Sequence, residues 1–359
     1  MMEGPKRVGS VLLIAIVLST GYLDYWAYSQ TFYKEPTIWM DVVSGTGSAP
    51  NQYRIAVIDT AYFLARHLHV GMRHTLALLD VISGMIAVFA LFLVLQRSAV
   101  YRKASLAAQW FGAASFIILV QFYLAWLLWY QRPETLPSAA ILALTLLLIA
   151  GRSPGLERGG AIGTTGTAGT VGTVLGLLLL AVAQGFIRAD VAFALHLGIL
   201  LVCLTSTGKR LALPRGVQAG TSLVAMLLAL GIQYDLMKRV YPQANYGKTQ
   251  VLQLSWNLKS PSGYAPFFLF LVPLGWTVVM LARRRYQTSA SGIGMLMGAV
   301  VFFAMWVTAG RIKEVRIFLP FALALSPLTV EMAMQRFLSG ADGSVAAAGV
   351  RVEASLPHS

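Results

Sequence analysis

The chain has 359 residues, of which 57% are hydrophobic and only 12% are charged, and its mean hydropathy is +0.67. A water-soluble fold of this length needs far more polar surface, so the composition indicates a protein integral to a lipid bilayer. The single cysteine, Cys203, excludes a disulfide framework and a cysteine metal cluster. The formal net charge of +14 is not organised into a nucleic-acid-binding motif, and we expect no nucleic-acid partner.

Apolar runs recur along the chain at close to the roughly 20 residues that an α-helix needs to cross a bilayer. They predict an all-α polytopic membrane protein with about ten transmembrane helices, at 9–28, 75–95, 106–130, 137–151, 171–187, 190–206, 217–236, 265–282, 290–309 and 316–334. The fourth to sixth runs are short, and only Arg188-Ala189-Asp190 links the fifth to the sixth. A re-entrant pair of helices is therefore an alternative at that point. Residues 1–338 are predicted to form one integral membrane domain, followed by a disordered cytoplasmic tail at 339–359.

The positive-inside rule sets the predicted orientation. With the N-terminus in the cytoplasm, the short cytoplasmic connections hold many basic residues, among them Arg97, Arg102, Lys103, Lys209, Arg210 and the run Arg283-Arg284-Arg285. An even number of spans returns the C-terminus to the same side. We therefore expect a protein of the plasma (inner) membrane with both termini cytoplasmic and with outer loops at 29–74, 237–264 and 310–316.

The outer loops nevertheless contain basic clusters, at 34–73, 238–259 and 311–316. In the first loop an apolar stripe at helical spacing predicts an amphipathic helix in the interface plane. Cations bind phosphate oxygens, and beside apolar helices that can hold a polyprenyl tail they suit a lipid-linked sugar phosphate. The candidate phosphate-binding residues are Arg54, Arg66, Arg311, Lys313 and Arg316. For each of them, anchoring to lipid headgroups is the alternative.

Two acidic positions complete the candidate site. Asp24 lies at the outer end of the first predicted span among three aromatic residues, where a carboxylate is costly unless it faces water or a partner. It is the candidate general base for an acceptor hydroxyl, with a metal ligand and a solvated interfacial residue as alternatives. Glu314 has three cationic neighbours, so we expect it to orient Arg311 or Arg316 rather than to act as the base.

This layout resembles the GT-C superfamily of integral membrane glycosyltransferases that use polyprenyl-phosphate sugars. The shared features are an acid at the outer end of the first span, a long first outer loop with an interfacial helix, about ten spans, and basic residues in later outer loops. The resemblance implies that Asp24 is the catalytic base, with Asp41 in the same loop as the second candidate, and that the outer cations hold the donor phosphate. The paired-acid signature of several GT-C families is absent from this chain, which leaves the base and any metal open.

The expected function is transfer of a sugar from a polyprenyl-phosphate donor to a glycan, lipid or protein acceptor, in contact with membrane lipids at the outer face. Two alternatives stay open. A polymerase or ligase of undecaprenyl-pyrophosphate-linked glycans needs the same cations but no strong base, and a lipid-linked sugar flippase or transporter is not an enzyme. No cofactor is certain from the sequence: a divalent cation stays open but no motif supports it, and Gly159–Gly172 lacks the Gly-Lys-Ser/Thr ending of a phosphate-binding loop.

Overall fold

The structure is a computed structural model. It describes residues 38–128, 132–150, 167–205, 211–244, 252–259, 261–283 and 289–337, together with positions 14, 18, 19, 21–23, 25 and 26. Within these residues six helices are long and apolar enough to cross a membrane, which supports a polytopic membrane protein. Asp24, the predicted tail at 339–359 and most of the first predicted span lie outside the described residues.

All regular secondary structure in the described residues is helical. In chain order the helices are α1 Ile38–Val43, α2 Ile55–Leu68, α3 Met72–Arg97, α4 Ala99–Lys103, α5 Leu106–Ala125, α6 Thr135–Ile149, α7 Thr167–Cys203, α8 Arg215–Asp235, α9 Leu254–Lys259, α10 Tyr264–Ala282, α11 Ala290–Ala309, α12 Leu319–Ala324 and α13 at 326–337. A π-type turn, Leu236–Val240, extends α8. The predicted spans at 75–95, 217–236, 265–282 and 290–309 coincide with α3, α8, α10 and α11, whereas the span at 137–151 corresponds to the 15-residue α6.

Serine caps begin several of these helices. The hydroxyl oxygens of Ser98, Ser105 and Ser289 accept hydrogen bonds from the backbone N–H groups of Tyr101, Ala108 and Gly292. Each bond satisfies one of the N–H groups that the first turn of a helix leaves without a partner. The sequence thus starts α4, α5 and α11 locally, before any tertiary contact is considered.

The long helix α7 is interrupted at Arg188, whose φ of −155° and ψ of 82° are not helical. In its first half, Gln184 donates to the hydroxyl of Ser138 at 2.5 Å near the start of α6. Gly176 lies against Leu148 near the end of α6. The first half of α7 therefore runs antiparallel to α6.

The second half of α7 follows α11 in the same antiparallel way. Gly198 lies against Gly298, and Val202 lies near Gly294. Helices α6 and α11 are also antiparallel to each other. The start of α6 and the end of α11 line one cavity, and the end of α6 and the start of α11 line another. The two halves of α7 consequently run in opposite directions and reverse at Arg188, within the short link between the predicted fifth and sixth spans.

The C-terminal helices form the centre of the bundle. All six residues of α12 are buried, with Leu319, Phe321 and Ala322 at 0% exposure. The aromatic rings around them pack in stacked pairs, with ring centroids 5.5 Å apart for Trp306 and Phe318 and 4.9 Å apart for Phe302 and Phe321. Offset-stacked and edge-to-face geometries are the favourable arrangements for such rings. The predicted span at 316–334 is thus divided between a 3-10 turn, Val315–Ile317, and the short helices α12 and α13.

Side-chain contacts bring the three predicted outer loops together at one end of the bundle, where Asn257 of the second loop donates to the carbonyl of Gly310 in the third at 2.8 Å. The Tyr53 hydroxyl donates to the carbonyl of Ala244 at 2.6 Å, and the Gln243 amide donates to the carbonyl of Gly45 at 3.0 Å. At the opposite end, Arg97 donates to the Leu147 carbonyl at 3.0 Å and the Ala212 N–H donates to the Ile149 carbonyl at 3.3 Å. The predicted outer and cytoplasmic connections therefore segregate to opposite ends.

We expect a Gly198→Ala substitution to destabilise the contact between α7 and α11. The added methyl group would clash with the backbone nitrogen of Gly298 and lie 2.6 Å from the backbone oxygen of Gly294, and overpacking of this kind costs about 1–3 kcal/mol. Gly172→Ala is the matched control in the same helix, because a Cβ there has no atom within 4 Å. Circular dichroism during heating in detergent measures both midpoints. Equal midpoints for the two variants would contradict the close contact.

Candidate anion-binding site

A cavity of about 470 Å³ opens at the end of the bundle where the predicted outer loops meet. Its charged lining residues come from four separate stretches of the chain: the start of α2, the turn before α6, the reversal of α7, and the turn between α11 and α12. The described charged residues are five arginines and three carboxylates: Arg54, Arg132, Glu134, Arg188, Asp190, Arg311, Glu314 and Arg316. Phe302 and Trp306 contribute apolar surface beside them.

A buried glutamine shapes the loop that delivers Arg54. Gln52 is fully buried, and its amide donates to the Val42 carbonyl at 3.0 Å and accepts from the Gly47 N–H at 2.7 Å. A Cβ at Gly47 would lie 2.6 Å from the same amide oxygen, so a larger residue there would displace the Gln52 amide. The chain then passes through the 3-10 turn Asn51–Tyr53 and places Arg54 at the N-terminus of α2.

Arg54 forms an ion pair with Glu134 across the cavity. The Nη1 atom lies 2.6 Å from the carboxylate Oε1, and the Glu134 side chain is only 8% exposed. Burial alone would raise the pKa of the Glu134 carboxyl, but the positive charges of Arg54, Arg132 and Arg316 hold that pKa below its ordinary value of 4.5. Glu134 is therefore ionised at neutral pH and is shared among three arginines.

Arg188 is the most enclosed cation of the cavity, with a side chain 2% exposed. Its Nε and Nη2 atoms donate to the two carboxylate oxygens of Asp190 at 3.2 and 2.6 Å, and its Nη1 atom donates to the Ile317 carbonyl at 3.0 Å. The guanidinium also lies over the ring of Phe302, 5.3 Å from its centroid. This set of partners joins the reversal of α7 to the turn that carries Arg316.

The turn at 310–316 presents its cations in different ways. Arg316 pairs with Glu314 through Nη2 and Oε2 at 2.5 Å. Arg311 and Lys313 both lie over the ring of Trp256, each 5.1 Å from its centroid. Arg311 and Arg316 line the cavity, whereas Lys313 is exposed and is not among its lining residues.

A single buried amide holds this turn in place. Asn257 donates to the carbonyls of Val307 and Gly310 at 2.8 Å each, and its Oδ1 atom accepts from the Ile312 N–H at 3.1 Å. The side chain is 2% exposed, so each of these bonds forms away from water, where leaving the groups unpaired costs about 1–3 kcal/mol. Asn257 thus fixes the backbone on both sides of Arg311.

The sequence-predicted residues divide into two groups. Arg54, Arg311, Arg316 and Glu314 all line the cavity. Arg66 lies exposed on α2, twelve residues beyond Arg54, and Asp41 is exposed on α1. Neither Arg66 nor Asp41 is among the lining residues, and Asp24 lies outside the described residues.

Sequence reasoning overlooked Arg132, Glu134, Arg188 and Asp190 as site residues. All four occupy short connections between apolar runs, at 131–136 and 188–190. A charged residue in so short a connection stays close to the bundle and has little access to bulk water, which marks it as a functional candidate. That signal was present in the sequence.

The arrangement favours binding of an anion. Each lining carboxylate has an arginine partner, and the five arginines exceed the three carboxylates, so the described lining carries an excess of two formal positive charges. Arginine binds phosphate and carboxylate groups through paired N–H donors. Among the described residues, no group of three or more histidine, cysteine or acidic side chains is placed to hold a metal ion.

No known protein family, no curated protein and no solved structure matches the chain. The functional assignment therefore rests on the geometry of the site.

Acid should weaken the fold through Glu134. Because the folded pKa of Glu134 lies below its ordinary value of 4.5, its contribution is present above that value and is lost as pH falls through the folded pKa. We expect Glu134→Gln to destabilise the protein by roughly 1–3 kcal/mol near neutral pH. The difference from wild type should shrink as the pH falls below the ordinary value of 4.5, as measured by thermal unfolding in detergent at a series of pH values. A difference that does not change with pH would contradict the ion-paired state of Glu134.

Proposed function

We propose that the chain is an integral membrane glycosyltransferase that takes a sugar from a polyprenyl-phosphate donor and holds the donor phosphate in the arginine-lined cavity. The observation that carries the proposal is the convergence of Arg54, Arg311 and Arg316, from distant parts of the chain, with Arg132 and Arg188 in one cavity. This cavity lies at the end of a bundle whose helices are apolar enough to span a membrane. A lipid-linked phosphate combines the two properties that such a location favours, a hydrocarbon tail and an anionic head.

The arginines would act on the leaving group. In glycosyl transfer the bond between the anomeric carbon and the phosphate oxygen breaks, and negative charge grows on the phosphate. Fixed guanidinium donors in a cavity with partly apolar walls stabilise that charge without reorganising. In this proposal Asp24 takes the proton from the acceptor hydroxyl, and Glu314 orients Arg316, with which it is paired.

The proposal includes an orientation. We place the cavity on the outer face of the plasma membrane, with both termini in the cytoplasm and about ten spans, of which the two halves of α7 count as two. The GT-C resemblance belongs to the same proposal. The segregation of the predicted outer and cytoplasmic connections to opposite ends of the bundle supports only the grouping of the predicted outer loops on one face.

One observation favours a second candidate, a polymerase or ligase of undecaprenyl-pyrophosphate-linked glycans. Glu134, Asp190 and Glu314 are each paired with an arginine, so none of the described lining carboxylates is placed as a ready base. An enzyme that transfers from a pyrophosphate has a better leaving group and needs less help from a base. The excess of two positive charges also equals the charge of a pyrophosphate diester.

Loss of a cavity arginine should abolish most of the transfer. We expect Arg311→Gln and Arg316→Gln each to lower the rate of lipid phosphate release about 100-fold or more, because each removes a donor that stabilises the leaving group. The measurement uses purified protein in detergent with a panel of polyprenyl-phosphate and polyprenyl-pyrophosphate sugars. Arg66→Gln is the matched control, since Arg66 is an exposed arginine outside the cavity. A similar loss in the control would contradict the cavity assignment, and release by no variant including wild type would contradict enzymatic function.

Asp24 distinguishes the two candidate functions. In the polyprenyl-phosphate mechanism, Asp24→Asn should lower turnover at least about 100-fold with little change in donor affinity, because the acceptor loses its base. In the polymerase or ligase mechanism the same variant should keep most of its turnover while Arg311→Gln does not. Turnover and donor affinity are measured on the same preparations. Full activity of Asp24→Asn with a polyprenyl-phosphate donor would exclude Asp24 as the base.

A further inference from the structure

A second, larger cavity lies on the flank of the bundle, beside the arginine-lined cavity. It is an open groove of about 670 Å³ between the start of α2, the first half of α7 and α8. Its lining includes Ile55, Phe186, Leu227, Gly231, Asp235 and Leu236. Asp235 is the charged member, and it is paired with Arg239 one helical turn later at 3.3 Å. The rest of the surface is apolar.

The groove and the arginine-lined cavity adjoin at three places. Ile55 lines the groove and directly follows Arg54, which lines the cavity. Phe186 lines the groove two residues before Arg188, at the reversal of α7. Ala49, at the edge of the cavity, belongs to the same buried cluster as Leu236 of the groove. The cationic surface and the apolar surface are therefore close enough for one molecule to contact both.

We propose that the groove holds the hydrocarbon chain of a single-chain lipid phosphate whose phosphate group lies among the arginines. The inference rests on the proposed function for the phosphate in the cavity, but not on the transfer of a sugar. The lipid reaches this open groove from the surrounding bilayer, with its head at the reversal of α7 and its tail along α8. Other exposed apolar surfaces of the bundle suit bulk lipid, whereas this one ends at a cluster of cations, so it selects an amphiphile with an anionic head.

A glycine keeps the groove open. A Cβ added at Gly231 would have no atom within 4 Å, so the missing side chain leaves space that no neighbouring residue fills. Glycine has a lower helix propensity than other residues except proline. Replacing it with a larger residue therefore does not disfavour the helical conformation of α8. Gly231→Phe therefore adds a bulky side chain to the groove at a position where its first carbon meets no neighbouring atom.

The same helix offers a matched control. Gly220 lies eleven residues before Gly231, which is about three helical turns and places the two glycines on the same face. A Cβ at Gly220 also has no atom within 4 Å, and Gly220 does not line the groove. Gly220→Phe thus repeats the change in size, helix propensity and exposure to detergent outside the groove.

The experiment compares binding of farnesyl phosphate and of inorganic phosphate to the purified full-length chain in one detergent, by isothermal titration calorimetry. Wild type should bind farnesyl phosphate at least about tenfold more tightly than phosphate, because burying only two methylene groups is worth that factor. Gly231→Phe should lose this preference and keep its affinity for phosphate. Gly220→Phe should keep both, and Arg311→Gln should weaken both.

A Gly231→Phe variant that keeps the wild-type preference, or a Gly220→Phe variant that loses it equally, would overturn the groove assignment. If Gly231→Phe does not yield folded protein, Leu227→Asn tests the same surface, since Leu227 lines the groove and is 56% exposed. Its polar side chain should lower the preference for farnesyl phosphate, and an unchanged preference would again overturn the assignment. Failure of the glycosyltransferase proposal is distinguishable, because lipid phosphate release would be absent while the farnesyl preference and its loss in Gly231→Phe persist.

Discussion

A charged guanidinium buried at the end of an apolar helix bundle has to be paired, and the cavity depends on how Arg188 meets that constraint. Both oxygens of Asp190, the carbonyl of Ile317 and the ring of Phe302 surround the Arg188 side chain. Removing one partner from such a buried set typically costs about 3–5 kcal/mol. The same contacts tie the reversal of α7 to the turn before α12, so a local requirement for charge pairing also sets the positions of two walls of the cavity.

Other arginines of the cavity are also paired with carboxylates, but the charge of the cluster is only partly neutralised. Glu134 is shared by Arg54, Arg132 and Arg316, and Glu314 lies against Arg316. Three carboxylates neutralise part of the charge of five arginines, which makes the cluster tolerable in a partly apolar setting and still leaves it attractive to an anion. Full neutralisation would have removed the attraction, and no neutralisation would have opposed folding of this end of the bundle. A phosphate bound in the cavity would complete the pairing.

The apolar groove beside the arginine-lined cavity would set the orientation of a bound lipid phosphate. It adjoins the cavity at Ile55 and Phe186, beside Arg54 and Arg188, each of which is held by an ion pair. A lipid phosphate that is proposed to bind head first among the arginines would leave its tail along α8, where Gly231 keeps space for it. The glycosyltransferase proposal and its pyrophosphate alternative share this binding mode and differ in the group that leaves and in the need for a base.

Hydropathy alone determined that the chain is a helical membrane protein. The length and composition of each apolar run are local properties of the sequence, and they suffice to match a helix to the hydrocarbon core of a bilayer. The positions of α3, α8, α10 and α11 were predictable for that reason, and so was the break at Arg188-Ala189-Asp190. The sequence also nominated Arg54, Arg311 and Arg316, since cations in segments predicted to lie outside require an explanation. It did not separate Arg54 from Arg66, which have the same charge and share one segment, and the short connection that marks Arg132 and Glu134 as candidates did not show that they share a cavity with Arg54. Only the tertiary structure decided those cases, because membership of the cavity depends on which ends of α2, α6, α7 and α11 pack together, and contacts between residues 54, 134, 188 and 316 are set by the path of the whole chain.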